Sequence, residues 1–354
     1  MAEQRMTTPT NRLERFALAV LLFILAGVPV ALLGYQYFVR LALSPVRVID
    51  ITAAAPEAGG FQPDAIRVAA GETVRLRFSV PDVTHGIAIG PGLGIDIGHV
   101  DPGQVREVEV TFDRPGRYTV YCSTWCSPNH WRMRGTIEVY DPSQPDALPP
   151  SQPPDPALES LAARGINIDA EHPAETIPDT PPSPGRGAEI TATHQNTLPA
   201  DLFNPAWRQQ HSPVEAWSML VAHGMNQPDA WDVVAHLWTS SLQGDRLAQA
   251  STLYAKNCAA CHGEDGSGTG PGAAVLQAQH ALEHSDMPQA GKPTAFADPR
   301  IMLGGRSEIY YAKIRRGGMG TGMPGFGQIF TPEESWMLAE YLWRFVFVPA
   351  ENRP

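Results

Sequence analysis

Four cysteines occur in this chain of 354 residues, and they fall in two close pairs, Cys122/Cys126 and Cys258/Cys261. The spacings are C-x-x-x-C and C-x-x-C-H, the kinds that bind metal or attach haem, and histidines and methionines stand close by. Two disulfides are the alternative for a protein outside the cytoplasm. That alternative leaves the neighbouring histidines and methionines without a reason. The cysteines thus point to two ligand sites, and the length suits two folded units with connecting segments.

An apolar run from Phe16 to about Val39 precedes both pairs. At ~1.5 Å per residue it spans a bilayer. It exceeds the ~7–15 apolar residues of a signal peptide, and no small-residue cleavage pattern follows, so it reads as a retained anchor. Pro29 within it is tolerable in a membrane helix. Arg5, Arg12 and Arg15 precede the run while Arg40 and Arg47 follow, a slight bias towards a cytoplasmic N-terminus. The net charge of −11 argues against nucleic acid, which needs clustered Lys and Arg, and suits docking of a basic protein.

From about Val46 to Tyr140 the pattern is β. Ile66-Arg67-Val68, Thr73 to Phe78 and Val105 to Val110 alternate apolar and polar residues, and Pro-Gly pairs such as Pro102-Gly103 and Pro115-Gly116 punctuate them. Short, evenly spaced strands predict a sandwich or barrel. From Asp141 to about Pro184 the sequence turns to Pro, Ser, Asp and Glu, with Pro149-Pro150, Pro153-Pro154 and Pro181-Pro182. It is expected to be an extended, semi-stiff linker, with a short helix over Ala157 to Arg164. From about Pro199 the pattern is helical. Two segments, Trp231 to Trp238 and Trp336 to Trp343, repeat a Trp-x6-Trp spacing with Leu before the second Trp. The first is either half of a degenerate cytochrome or an unrelated amphipathic helix. The expected division is 1–45 anchor, 46–142 β domain, 143–198 linker, 199–245 helical segment and 246–354 a second redox domain.

The stretch Tyr121 to Gly135 holds two thiols, Cys122 and Cys126, the imidazole of His130 and the thioether of Met133. Soft sulfur with imidazole selects copper. A mononuclear copper loop has one Cys; a second lets both sulfurs bridge two metal ions, and each ion then wants one more nitrogen. His130 serves one, and His85, 37 residues before Cys122 at the end of a predicted strand, is the candidate for the other. These residues, with Asp82-Val83-Thr84-His85-Gly86 and Arg114-Pro115-Gly116-Arg117-Tyr118, resemble the CuA domain of cytochrome c oxidase subunit II, in its single-anchor form. The resemblance covers about Val46 to Tyr140 and implies a cupredoxin sandwich. It also implies a dinuclear copper A centre bridged by Cys122 and Cys126, with His85 and His130 on one copper each. Met133 and the Thr124 carbonyl would be weak ligands. Ser127-Pro128 departs from the Gly that many oxidases carry after the second Cys, and Met133-Arg134-Gly135 is also similar to nitrous oxide reductase. Zinc on the two Cys and two His is the chemical alternative, and Met133 and the β context weigh against it. His99 reads as a solvent-facing residue.

Asn257-Cys258-Ala259-Ala260-Cys261-His262-Gly263 is a c-type haem attachment sequence: two thioethers to the vinyl groups, with His262 placed to bind iron. Such attachment takes place outside the cytoplasm, which orients the anchor. A distal Met raises the potential. Met323, in Gly322-Met323-Pro324-Gly325-Phe326 and 61 residues after His262, resembles the Met-Pro-x-Phe signature of class I cytochromes c. Met319 and Met287 are competitors, and His280 and His284 read as surface residues. The family likeness implies that the Trp336 to Phe347 helix covers the haem.

The resemblance implies an electron-entry subunit of a proton-translocating haem–copper oxidase in a bacterial inner membrane. One haem c and one copper A centre would pass electrons from a soluble cytochrome c or cupredoxin to a polytopic catalytic subunit I, which reduces oxygen. No catalytic oxygen site is expected on this chain. The equivalent subunit of a CuA-containing nitric oxide reductase, or a tethered electron carrier, would look much the same. Glu14 resembles the position from which single-anchor subunits feed a proton pathway, with an ordinary interfacial carboxylate paired with Arg12 or Arg15 the favoured reading.

Overall fold

The computed structural model describes residues 12–35, 46–150, 152–283, 292–318 and 321–353. Arg5, Val39, Arg40, His284, Met287 and Met319 lie outside them, and nothing is described of the His280 side chain. The first described element is a helix made of Arg12–Leu22, a π-helical turn Phe23–Gly27 and Val28–Gly34. Glu14–Gly34, 21 residues with a mean hydropathy of 2.8, is long and apolar enough to cross a membrane. At ~1.5 Å per residue it reaches about 31 Å, the thickness of a hydrocarbon core. It buries nothing against the protein: Phe16, Phe23 and Val30 are each about 70% exposed, so its apolar surface needs an apolar solvent. The π turn directly precedes Pro29, which lacks the N–H that a regular helix would use there.

Among the described residues, nine strands form two sheets. β1 (Arg47–Ala53), β2 (Phe61–Gln62), β4 (Thr73–Ser79) and β7 (Val105–Thr111) order as β2-β1-β4-β7. β3 (Ala65–Ala69), β9 (Arg134–Tyr140), β8 (Gly116–Cys122), β5 (His85–Gly90) and β6 (Ile95–Val100) order as β3-β9-β8-β5-β6. β1 runs parallel to β4 and β3 parallel to β9; the other pairs are antiparallel. The three alternating runs of the sequence are β3, β4 and β7. Val74, Leu76, Phe78 and Val110 point inward to meet Ile66, Val68, Ile87, Val120, Ile137 and Val139 of the other sheet. Burying each such side chain is worth ~1.5–3 kcal/mol. β5 departs from alternation, since all six of its residues are buried. Its inner face meets the sandwich core, while on its outer face Gly86 lies under Ser123 and Thr124 of the loop after β8 and Gly90 under Ile329 of the helical half.

That half is built from helices that open on a capped proline. Asp155, Ser183, Asn204, Ser212, Asp298 and Thr331 each accept a backbone N–H at a helix start whose first residue is Pro. A proline there loses no helical hydrogen bond and presets φ. At least six of the 34 prolines therefore start helices and do not mark linker. Ser212/Glu215 and Thr331/Glu334 are complete capping boxes.

The proline-rich segment carries helix Pro156–Ala163, as expected, and a second helix, Pro184–His194. It is strapped to the helical half and does not run free. The Asp155 carboxylate accepts the Tyr311 hydroxyl at 2.6 Å and the Arg315 Nε at 3.0 Å. Arg164 pairs with Glu308 and Asp169 with Arg316, both at 2.5 Å, and Leu161 is wholly buried. The first Trp-x6-Trp copy lies in helix Gln227–Thr239. The second starts in helix Pro332–Tyr341 and ends on Trp343, the first residue of Trp343–Phe347. Their second tryptophans, Trp238 and Trp343, meet edge to face at 6.5 Å, in a core shared with Leu220, Tyr311, Leu338 and Phe345.

Helix Pro184–His194 lies so close along Gln227–Thr239 that a Cβ on Gly187 would stand 1.9 Å from the Asp232 carbonyl oxygen. Gly187→Ala must push the two helices apart. A loss of about 1–3 kcal/mol, the usual cost of overpacking, is expected in thermal unfolding of the full chain, and an unchanged melting temperature would contradict this packing.

Candidate metal and haem sites

β5 and the loop after β8 bring the copper-type residues together. His85 opens β5 and Cys122 closes β8, a hydrogen-bonded neighbour of β5 in the same sheet. The donor atoms of His85, Cys122 and Cys126 lie within 4.8 Å of one another. Cys122 Sγ is 3.7 Å from His85 Nδ1, and Cys126 Sγ is 3.6 Å from His130 Nδ1. Sulfur at ~2.3 Å and nitrogen at ~2.0 Å on a tetrahedral metal ion stand about 3.6 Å apart. Each thiol is therefore paired with an imidazole at the spacing of two ligands on one ion. Met133 Sδ is 3.9 Å from Cys126 Sγ, and the Cys122 thiol donates to the Thr124 carbonyl at 3.1 Å. All six residues anticipated for copper form one linked set, and the soft sulfur and imidazole donors suit copper.

The histidine that belongs to a strand is held in place. His85 is fully buried, and its Nε2–H donates to Asp82 Oδ1 at 2.9 Å, which leaves the Nδ1 lone pair facing Cys122. Asp82 in turn accepts backbone N–H groups of Ala55 and Val83 at 2.6 and 2.8 Å. Burial would lower the His85 pKa, but hydrogen bonds to Cys126 and Asp82 leave it raised. The hydrogen bond between the two thiols, ahead of burial, lowers Cys122 and raises Cys126 to about 11.

The haem-type residues sit at the end of helix Gly244–Asn257 and in the one-turn helix Ala259–His262. His262 Nδ1–H donates to the Thr294 carbonyl at 3.1 Å, and the ring stacks on Phe296 at 4.4 Å. Nε2 is left with the lone pair. Burial, only partly offset by Thr294, pulls His262 down to about 4, so the imidazole is neutral at pH 7. Burial also raises both thiols, Cys258 to about 12. Cys258, Cys261, His262 and Met323 line one cavity of about 160 Å³ with Leu276, Phe326 and Ile329. An apolar chamber holding two thiols, a neutral imidazole and a thioether fits a covalently attached haem.

The same cavity is walled on its far side by the copper loop, through Tyr121, Cys122, Trp125, His130 and Met133. The Trp125 ring packs on Gly272 so tightly that a Cβ there would stand 2.7 Å from it. Arg134 donates to the Gly325 carbonyl at 2.9 Å and lies over the Phe326 ring at 5.5 Å. On β5, a Cβ on Gly90 would meet the Ile329 carbonyl at 2.2 Å, and Lys256 pairs with Asp96. Glu14 is exposed in the first turn of the apolar helix, and His99 is exposed on β6. Four residues that shape the sites have no sequence signature of their own: Asp82, Trp125, Arg134 and Phe296. Only Asp82 had a local cue, three positions before His85.

The Cys126 thiol of the metal-free protein is protonated at neutral pH, and copper must displace that proton. Copper affinity is expected to rise about tenfold per pH unit for each proton displaced, measured by chelator competition from pH 6 to 8. A pH-independent affinity would contradict thiolate binding.

Comparison with known proteins agrees with both halves. Residues 62–139 match the family model for the periplasmic domain of cytochrome c oxidase subunit II, and residues 247–345 match that for cytochrome c. Two proteins of Thermus thermophilus named cytochrome c oxidase subunit 2 are 40% identical to this chain over 80 residues, 23% of its length. Those 80 residues span 58% of one relative and 46% of the other, about half their length. Among solved structures, the periplasmic domain of subunit II of cytochrome oxidase from Bradyrhizobium japonicum is 21% identical. That match covers 28% of this chain and 86% of the other, with a TM-score of 0.23. The chain thus joins, behind an apolar helix, a cupredoxin-like domain of the cytochrome c oxidase subunit II family to a cytochrome c domain.

Proposed function

We propose that this chain is the electron-entry subunit of a haem–copper terminal oxidase of a bacterial cytoplasmic membrane. The observation that carries the reading is the single cavity bounded on one side by Cys258, Cys261, His262 and Met323 and on the other by Cys122, His130 and Met133. Haem c and copper A bound there would supply one-electron carriers, loaded by a soluble donor and emptied towards a polytopic catalytic subunit I that reduces oxygen. The chain's own residues do the rest. His85, Cys122, Cys126 and His130 bind the coppers, with Met133 and the Thr124 carbonyl as weak ligands. Cys258 and Cys261 would hold the haem covalently, and His262 and Met323 would ligate its iron. Asp82 and Thr294 fix the imidazoles so that the nitrogen facing the site carries the lone pair. Helix Glu14–Gly34 anchors both domains to the membrane, with the N-terminus cytoplasmic and the redox domains outside.

The test uses the native complex, isolated in detergent through a tag on this chain and supplied with reduced cytochrome c. Rapid oxygen consumption with little nitric oxide turnover is expected. Nitric oxide consumption in its place would move the chain to a nitric oxide reductase, and isolation without a polytopic partner or gas uptake would leave a tethered carrier. For the distal ligand, Met323→Ala is expected to retain covalent haem while its potential falls, because Met ligation raises it. Met319→Ala is expected to leave the potential unchanged, and the reverse pattern would reassign the ligand.

A further inference from the structure

The proposed haem carries two carboxylates, and the cavity that would hold it is lined by cations from both domains: Arg134 from β9, Lys313 from helix Ser307–Arg316, and Lys292. Asp169 is the one acidic residue on the wall, and it pairs with Arg316. Arg134 differs from the two lysines in several ways. It belongs to the copper-bearing sandwich, directly follows Met133, and pairs across the sheet with Tyr121. Its Nη1 donates to the Gly325 carbonyl at 2.9 Å, and its guanidinium rests over the Phe326 ring. Among the described residues no carboxylate forms an ion pair with it. A guanidinium has five N–H donors in a rigid fork matched to a carboxylate, and one carbonyl uses one of them. A half-buried cation with most of its donors uncommitted, on the wall of a chamber for a dianionic ligand, lacks a counter-charge.

We propose that Arg134 binds a haem propionate, so that the copper domain supplies part of the haem-binding site. The inference rests on the reading of the cavity as a haem pocket. It makes Arg134 a positioning residue with two attachments: the guanidinium holds the edge of the haem and also the Gly325 carbonyl, two residues after Met323, while its backbone continues from Met133. Haem and copper loop are then fixed to each other by one side chain, and its positive charge favours the reduced haem.

The experiment uses the full chain, purified with haem attached, as wild type, Arg134→Gln and Arg134→Lys. Covalent haem content is measured first by its alkaline pyridine spectrum. Haem on the wild type verifies the underlying reading, and its absence would sink that reading along with this one. The midpoint potential and the resonance Raman propionate bending band are then compared. Arg134→Gln is expected to shift the band and to weaken the preference for reduced haem about tenfold, or ~59 mV for one electron. Arg134→Lys is expected to restore most of the potential, because it keeps the charge; a purely structural contact of Arg134 with Gly325 would give no such rescue. Unchanged band and potential in a haem-loaded Arg134→Gln protein would overturn the proposal and leave the haem pocket standing.

Discussion

The outer face of strand His85–Gly90 has no water on it. An antiparallel sheet in a sandwich ordinarily turns one face to solvent, yet every residue of this strand is buried. Part of the cover is the loop after β8, with Ser123 and Thr124 over Gly86, and part is the cytochrome domain, whose Ile329 backbone comes up against Gly90 and whose Gly325 carbonyl takes a hydrogen bond from Arg134 on the same sheet. This seating of one domain on the other puts both sites on the wall of one shared chamber.

Holding that seat calls for more than apolar contact. The segment between the domains is tied down by Asp155, which is nine-tenths buried and shared by Tyr311 and Arg315, and by the Arg164–Glu308 and Asp169–Arg316 pairs. Breaking a buried pair by removing one partner costs ~3–5 kcal/mol, so Asp155 is the firmest of the three. Arg315 extends the restraint, since it also donates to the Phe330 carbonyl at 2.6 Å, next to the Ile329 that faces the sheet.

Much of this was legible in the sequence because it is local. The copper loop carries Cys122, Cys126, His130 and Met133 within one turn-rich stretch, and the haem motif is five consecutive residues. The alternation in Thr73–Ser79 and Val105–Thr111 named the sandwich. Hydrophobicity at bilayer length named the anchor. The contents of the proline-rich segment were less legible, because Pro-Pro pairs look alike whether they extend a linker or open a helix after Asp155 or Ser183. The docking was not legible at all. Arg134 and Gly325 are 191 positions apart, and Asp155 and Tyr311 156 apart. No periodicity reports such pairings, nor that His85–Gly90 would be covered on both sides.

Haem and copper bound at the two sites would work as one unit across the shared cavity. The most direct test injects an electron into the haem of the fully loaded chain with a light pulse. Haem reoxidation is then followed against bleaching of the copper-centre absorption over a range of protein concentrations. The account predicts that the two signals change together at a rate independent of concentration. A haem that stays reduced while a small-molecule reductant readily reduces the copper, or a rate that rises linearly with concentration, would contradict it.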